Sequence, residues 1–145
     1  MIYFDAAFIA KCYLNEPGAD RVRKFARSSD GLCACEVGRL EFFSTVKRHQ
    51  REGRLTRAEV RAVLTRFESD DGNGVWSWLP VTAALLQAAC EAVRELPVEV
   101  PLRALDALHL QCARDEGLSE VYTNDRHMTA AAPHFRLIAR NLLVE

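Results

Sequence analysis

Three aspartates are candidate functional residues in this chain. One lies in the apolar arc of a predicted helix, where a carboxylate needs a partner, and the other two directly follow apolar strands. Asp106 lies within residues 102–113, where leucines and small residues recur at helical spacing, and it falls inside the apolar arc of that helix. A lone ionised carboxylate there costs several kcal/mol unless a charged or hydrogen-bonding group meets it. The sequence leaves three partners open: the start of its own helix, an arginine, or a metal ion shared with other carboxylates.

The elements that must position these acids alternate along the chain. Apolar strands are predicted over 2–4, 32–35, 75–81, 121–123 and 136–139, and helices over 6–14, 19–26, 36–52, from 56 to the turn at 71–74, 82–96 and 102–116. Such alternation predicts a central parallel sheet with helices on both faces, a three-layer α/β/α sandwich. The 145 residues are expected to form a single domain, 1–145.

Composition excludes few functions. The formal net charge is −1, so the overall charge does not indicate a nucleic-acid binder. Asp5 interrupts the apolar start, no stretch reaches membrane-spanning length, and the five cysteines are scattered without a Cys-x-x-Cys pair. We therefore expect a cytoplasmic protein with reduced thiols, no membrane association and no zinc site.

Asp5 and Asp125 each follow a predicted strand directly. Because ligands of open parallel sheets bind at the carboxyl ends of the strands, these two acids and Asp106 are expected to converge on one edge. Carboxylates held together repel one another unless a cation joins them, and such oxygens suit Mg²⁺ or Mn²⁺. The structural alternatives are a helix cap for Asp5 and a turn for Asp125.

The segments that carry these acids, FDAAFIAKCYLNEPG, LRALDALHL and VYTND, resemble the PIN domain and, within it, the VapC-type toxins of toxin–antitoxin pairs. The resemblance implies a PIN-like fold and a Mg²⁺- or Mn²⁺-dependent endoribonuclease that hydrolyses phosphodiester bonds and leaves 5′-phosphate ends. It implies four catalytic, metal-binding acids: Asp5, Glu41, Asp106 and Asp125. Glu41 rests on the resemblance alone, because a helical glutamate among charges is usually solvated, and Glu36 competes for the role.

Two hydroxyl positions near the acids differ in how they match the family. Many members carry Ser or Thr within two residues of the first aspartate, where this chain has Ala6 and Ala7. Thr123 matches the family's hydroxyl beside the last acid, so we expect it to orient a metal ligand or water. His109, one turn from Asp106, is expected to pack in the core or support the site rather than to catalyse.

Basic residues are needed around an acidic pocket that binds RNA. Arg103 and Arg126 flank acids of the site and are predicted phosphate contacts. Arg51 and Arg54 belong to a basic run over 47–66 that either binds RNA or is a solvated helical hairpin.

The resemblance also implies partners. We expect a cognate VapB-type antitoxin that inserts an Arg or Lys among the acids, and a homodimer. Trp76, Trp78 and the Val60–Phe67 face are apolar surfaces that a dimer could use, although core packing explains them equally well.

Three other protein classes were weighed. A response-regulator receiver and a haloacid-dehalogenase phosphatase are rejected, because each requires a second acid close to the first strand or a middle-strand aspartate. A catalytically inactive PIN-like module that binds RNA or protein remains the alternative.

Overall fold

The computed structural model describes residues 1–144, so Glu145 of the expected domain lies outside the described residues. No helix in the described part is both long and apolar enough to span a membrane. The elements, in chain order, are β1 (Ile2–Tyr3), α1 (Ala6–Tyr13), α2 (Ala19–Arg27), β2 (Leu32–Cys35), α3 (Val37–Arg51), α4 (Arg57–Gly72), β3 (Trp76–Leu79), α5 (Ala83–Glu95), α6 (Ala104–Asp115), β4 (Glu120–Tyr122), α7 (Arg126–Ala131), a 3₁₀ helix (Ala132–Phe135) and β5 (Ile138–Arg140).

Strands β3, β2 and β1 pair in that order, β4 pairs with β5, and all of these pairings are parallel. The register places Leu32 beside both Ile2 and Trp76, while a single parallel bridge between Phe4 and Tyr122 joins β1 to β4. All carboxyl ends therefore meet at one edge of the sheet, where the residues that follow β1 and β4 come together.

Side chains alternate along the strands and create two cores, one on each face of the sheet. Tyr3 and Cys33 point toward the core shared with α5, α6 and α7. Phe4 and Ala34 point toward the core shared with the four helices α1 to α4. The three-layer α/β/α prediction is confirmed.

The second core is dominated by aromatic rings. Phe42 of α3 stacks on Phe67 of α4 with centroids 4.4 Å apart, and Tyr13 of α1 packs against both rings. Val60, Phe67 and Trp76 are all buried there. Core packing therefore explains Trp76 and the Val60–Phe67 face, whereas Trp78 is half-buried against Phe67 and Trp76.

Several expected boundaries were wrong. Residues 126–135 form α7 and the 3₁₀ helix, which the sequence interpretation left out, because this stretch is short and Pro133 interrupts it. Helix α4 extends into the expected turn and ends at Gly72, and β5 begins at Ile138 rather than Arg136.

Helix α6 is buried on more sides than its sequence pattern indicated. Residues 106–113 are all buried, because the helix packs against α5, the sheet, α7 and the 3₁₀ helix at once. On a helical wheel Ala107 and Gln111 lie opposite the apolar arc that contains Leu105, yet both are buried, whereas Leu105 is 43% exposed.

Candidate active site

Asp5 both starts a helix and faces the site. Its Oδ1 atom accepts a hydrogen bond from the Phe8 amide (2.9 Å) and so caps α1, while its Oδ2 atom accepts from the Thr123 hydroxyl. Burial raises the pKa of Asp5 to about 6, although the hydrogen bonds from Thr123 and Phe8 favour the ionised form. The helix-cap alternative for Asp5 is thus correct and compatible with a second role for the other carboxylate oxygen.

The two carboxylate oxygens of Asp125 also have different partners, at the start of α7. Its Oδ1 atom accepts from the amides of His127 (2.7 Å) and Met128 (3.0 Å), which caps the helix. The Asp125 amide itself donates to Thr123 Oγ1 at 2.9 Å. The buried Thr123 hydroxyl therefore connects the two aspartates that follow β1 and β4.

Asp106 pairs with an arginine in the described structure, which is one of the three partners that the sequence leaves open. It lies in the first turn of α6, where a negative charge is favourable, and Arg103 immediately precedes that helix. Arg103 Nε donates to Asp106 Oδ2 at 2.7 Å, and Arg103 Nη2 donates to Asp125 Oδ2 at 3.0 Å. One guanidinium consequently bridges two of the predicted metal ligands.

Glu41 is held by a buried histidine. Its Oε2 atom lies 2.6 Å from His109 Nε2, and His109 Nδ1 lies 2.8 Å from the Tyr3 hydroxyl. That hydroxyl accepts from the Cys35 amide at 3.0 Å, so it is free to donate to Nδ1 while Nε2–H donates to Glu41. Burial opposes the charged imidazole, but the hydrogen bond and charge of Glu41 raise the pKa of His109 above its ordinary value.

The competing acid lies elsewhere. Glu36 is exposed at the residue before α3, whereas Glu41 is partly buried on the side of α3 that faces α6. Gly38 allows that approach, because a Cβ atom built there would lie 2.8 Å from Ile9 Cδ1 and 3.4 Å from His109 Cε1. The resemblance gave Glu41, and His109 supports the site as expected, but the sequence did not indicate that His109 contacts Glu41 or that Tyr3 contacts His109.

The four acids gather at the carboxyl edge of the sheet. The carboxylates of Asp106, Asp125 and Glu41 raise the pKa of Arg103. The charge of His109 lowers the pKa of Asp5 and that of Glu41 raises it, so these groups are near enough to interact. Their hard oxygen donors are the type that Mg²⁺ and Mn²⁺ prefer. Within residues 1–144, however, no three acidic, histidine or cysteine side chains are arranged as a metal-holding group, and Arg103 neutralises two of the acids.

The sequence profile of the PIN domain matches residues 2–132. The chain belongs to the PIN domain family. No curated protein gave a significant sequence match.

Three solved structures share this PIN fold. VapC20 of Mycobacterium tuberculosis, described as a sarcin–ricin loop cleaving toxin, has a TM-score of 0.71 and 20% identity and matches over 90% of this chain and 95% of its own. FitAB bound to the IR36 DNA fragment has a TM-score of 0.73 at 15% identity, covering 100% and 97%. VapBC2 of Rickettsia felis, bound to a promoter DNA fragment, has a TM-score of 0.67 at 16% identity, covering 97% and 98%.

The predicted RNA contacts differ in their surroundings. Arg51 is exposed at the end of α3, and Arg54 is paired with Glu52. The side chain of Arg126 lies against His127, with 3.2 Å between Nε and Nε2. Arg103 is bound to the acids, so it could reach a phosphate only after leaving them. All four stay predictions as RNA contacts.

Replacing Arg103 by Gln should leave the repulsion between Asp106 and Asp125 without the positive charge that now offsets it. Without divalent metal we expect a loss of about 1 kcal/mol or less in the free energy of unfolding, because the Arg103 side chain is 70% exposed. Added Mn²⁺ should raise the melting temperature of this variant more than that of wild type, since the competing cation is gone. Arg114→Gln, an exposed position on the same helix, is the control. Equal Mn²⁺-induced shifts in all three proteins would contradict the interpretation.

Proposed function

We propose that this PIN domain is a metal-dependent endoribonuclease, the toxin of a toxin–antitoxin pair, formed by the single domain 1–145. The observation that carries the proposal is the convergence of Asp5, Glu41, Asp106 and Asp125 on the carboxyl edge of the sheet, with each carboxylate oriented by a neighbour. VapC20, which shares the fold, is described as a toxin that cleaves the sarcin–ricin loop. These features support hydrolysis of RNA.

Several groups of this chain orient the acids for such a reaction. Thr123 and the Phe8 amide orient Asp5, the amides of His127 and Met128 orient Asp125, and His109 orients Glu41. Mg²⁺ or Mn²⁺ held by the four acids would supply a nucleophilic water at neutral pH and offset negative charge on the phosphoryl oxygens.

Arg103 is proposed to exchange the acids for the phosphate of the RNA. Its side chain is largely exposed and bonds only to carboxylates in the described structure, so it can leave them when a cation takes their charge. Once released, its guanidinium would be beside the site and able to bind a phosphate with two hydrogen bonds. Arg126, Arg51 and Arg54 would extend this contact along the RNA.

A protein partner is the second part of the proposal. FitAB and VapBC2 are two-component complexes by their descriptions, and we propose that this chain binds a VapB-type antitoxin and forms a homodimer. An apolar groove of about 660 Å³ between α5 and α6 supports an apolar antitoxin helix as its occupant. Leu105 lines this groove and lies next to Asp106, so a helix bound there would reach the acids with a basic side chain.

An inactive binding module is the alternative, and the Arg103 bridge across two acids is the observation that favours it. A matched pair of strains distinguishes the two functions. Wild type and Asp125→Asn are induced separately in cells, and RNA 5′-monophosphate ends are sequenced. Asn keeps the side-chain oxygen that caps α7, so the variant should fold. New ends at defined positions are expected with wild type only. Identical end maps from the two strains would favour the inactive module.

A further inference from the structure

A positively charged cavity lies at the opposite edge of the sheet from the four acids. It has a volume of about 380 Å³ and lies where β2 and β3 begin, since Leu32 and Trp76, which pair in register, both line it. Helices α1, α2 and α4 supply the remaining walls. Its size is within the range of cavities that bind small ligands.

Three arginines and one aspartate give this cavity a positive charge. Arg23, Arg27 and Arg66 line it together with Asp70. Arg23 already forms hydrogen bonds within the protein, because it donates to the Leu14 carbonyl (3.3 Å) and to Asp20 (2.7 Å). Asp70 accepts from the Tyr13 hydroxyl at 2.9 Å.

The other two guanidinium groups are available to a ligand. Arg66 lies over the Tyr13 ring, 5.7 Å from its centroid, and this contact leaves its N–H groups free. Within residues 1–144, neither Arg27 nor Arg66 forms a hydrogen bond or an ion pair with a protein group. Two such cations beside one cavity favour an anion with several oxygens, because each guanidinium can donate two parallel hydrogen bonds.

The rest of the lining is apolar and aromatic. Val75, Ala26 and Leu32 provide aliphatic surface, and the Trp76 indole is held in place by its hydrogen bond to Tyr13 (2.8 Å). Burial raises the pKa of the Cys12 thiol to about 12, so this group adds no negative charge. A suitable ligand therefore carries a phosphate at one end and, at the other, a body that can pack against aliphatic side chains and Trp76.

We propose that this cavity binds a nucleoside monophosphate, with its phosphate on Arg27 and Arg66 and its base against the Trp76 side of the cavity. The site is separate from the acids at the other edge of the sheet. Neither the PIN domain resemblance nor the proposed nuclease activity assigns it a role.

Tryptophan fluorescence of the full chain tests the proposal directly. The chain has two tryptophans, Trp76 in the cavity and Trp78 stacked on it with centroids 5.4 Å apart, so a ligand there should change the emission. AMP, inorganic phosphate and adenosine are titrated in EDTA, which keeps metal out of the acidic site. We expect AMP to bind about tenfold more tightly than phosphate or adenosine, because only AMP can contact both the arginines and the apolar lining of the cavity.

Arginine variants then locate the site. Arg66→Gln and Arg27→Gln should each weaken AMP binding about tenfold and leave adenosine unchanged, since each loses a charge-assisted contact to phosphate. Arg61→Gln, an exposed position on α4 outside the cavity, should bind AMP as wild type does. The proposal is overturned if AMP fails to bind, if it binds no better than phosphate, or if both variants retain full affinity. It is also overturned if an RNA oligonucleotide with a 5′-hydroxyl outcompetes AMP, because the cavity would then serve a polymer chain.

Discussion

Asp5→Asn is expected to lower RNA cleavage by about a hundredfold or more, because even partners of metal ligands cost ten- to a hundredfold when removed. The variant separates chemistry from folding. An asparagine oxygen still caps α1 by accepting from the Phe8 amide, whereas the negative charge facing Thr123 is lost. The measurement is the initial rate of cleavage of a labelled RNA with Mg²⁺ or Mn²⁺, with unfolding curves to confirm the fold.

Asp30→Asn is the matched control for that experiment, since it makes the same change in charge at an exposed residue before β2. It should cleave RNA at the wild-type rate. Wild type in EDTA should be as inactive as Asp5→Asn. A fully active Asp5→Asn enzyme would remove Asp5 from the site.

The second large effect is expected at His109. In His109→Leu the Glu41 carboxylate and the Tyr3 hydroxyl both lose a partner at an almost fully buried position, which should lower the free energy of unfolding by about 2–3 kcal/mol. Cleavage should fall about ten- to a hundredfold, because Glu41 is no longer oriented. The measurements are chemical unfolding and the metal dependence of the cleavage rate.

Two further variants separate positioning from packing. His109→Gln retains an N–H that can reach Glu41, so it should recover part of the activity lost in His109→Leu. Gln111→Met, also buried on α6, removes the Oε1 atom, which has no hydrogen-bond partner in the described structure, and the Nε2 donation to exposed Asp115 (2.7 Å). The two changes should offset one another, so we expect little change in stability. If His109→Gln were no more active than His109→Leu, His109 would be only a packing residue.

The sheet and three of the acids were predictable because their signals are local. Ile2–Tyr3 and Glu120–Tyr122 are short strands followed within a few residues by an aspartate, and parallel strands bring such residues to one edge. Asp106 was conspicuous because an acid stood in an apolar helical arc. Each of these inferences needed only a few neighbouring residues.

What the sequence did not predict depends on contacts between distant residues. His109 and Glu41 are 68 positions apart, and Arg103 and Asp125 are 22 apart, so no local pattern records either contact. Glu41 came from family resemblance, because an isolated helical glutamate carries no physical signal. Arg66 likewise belongs to a basic run in the sequence, and only the packing of α4 against α1 places it over Tyr13.

The four acids are expected to share one divalent cation, and a calorimetric titration of Mn²⁺ into metal-free protein measures that binding. Wild type and Asp106→Asn are compared at the same pH and salt, since Asn keeps the shape of the side chain while removing its charge. We expect one Mn²⁺ bound per wild-type chain and an affinity weaker by about tenfold or more in Asp106→Asn. Equal affinity in the two proteins, or a wild type that cleaves RNA without binding Mn²⁺ or Mg²⁺, would show that the acids do not form a shared metal site.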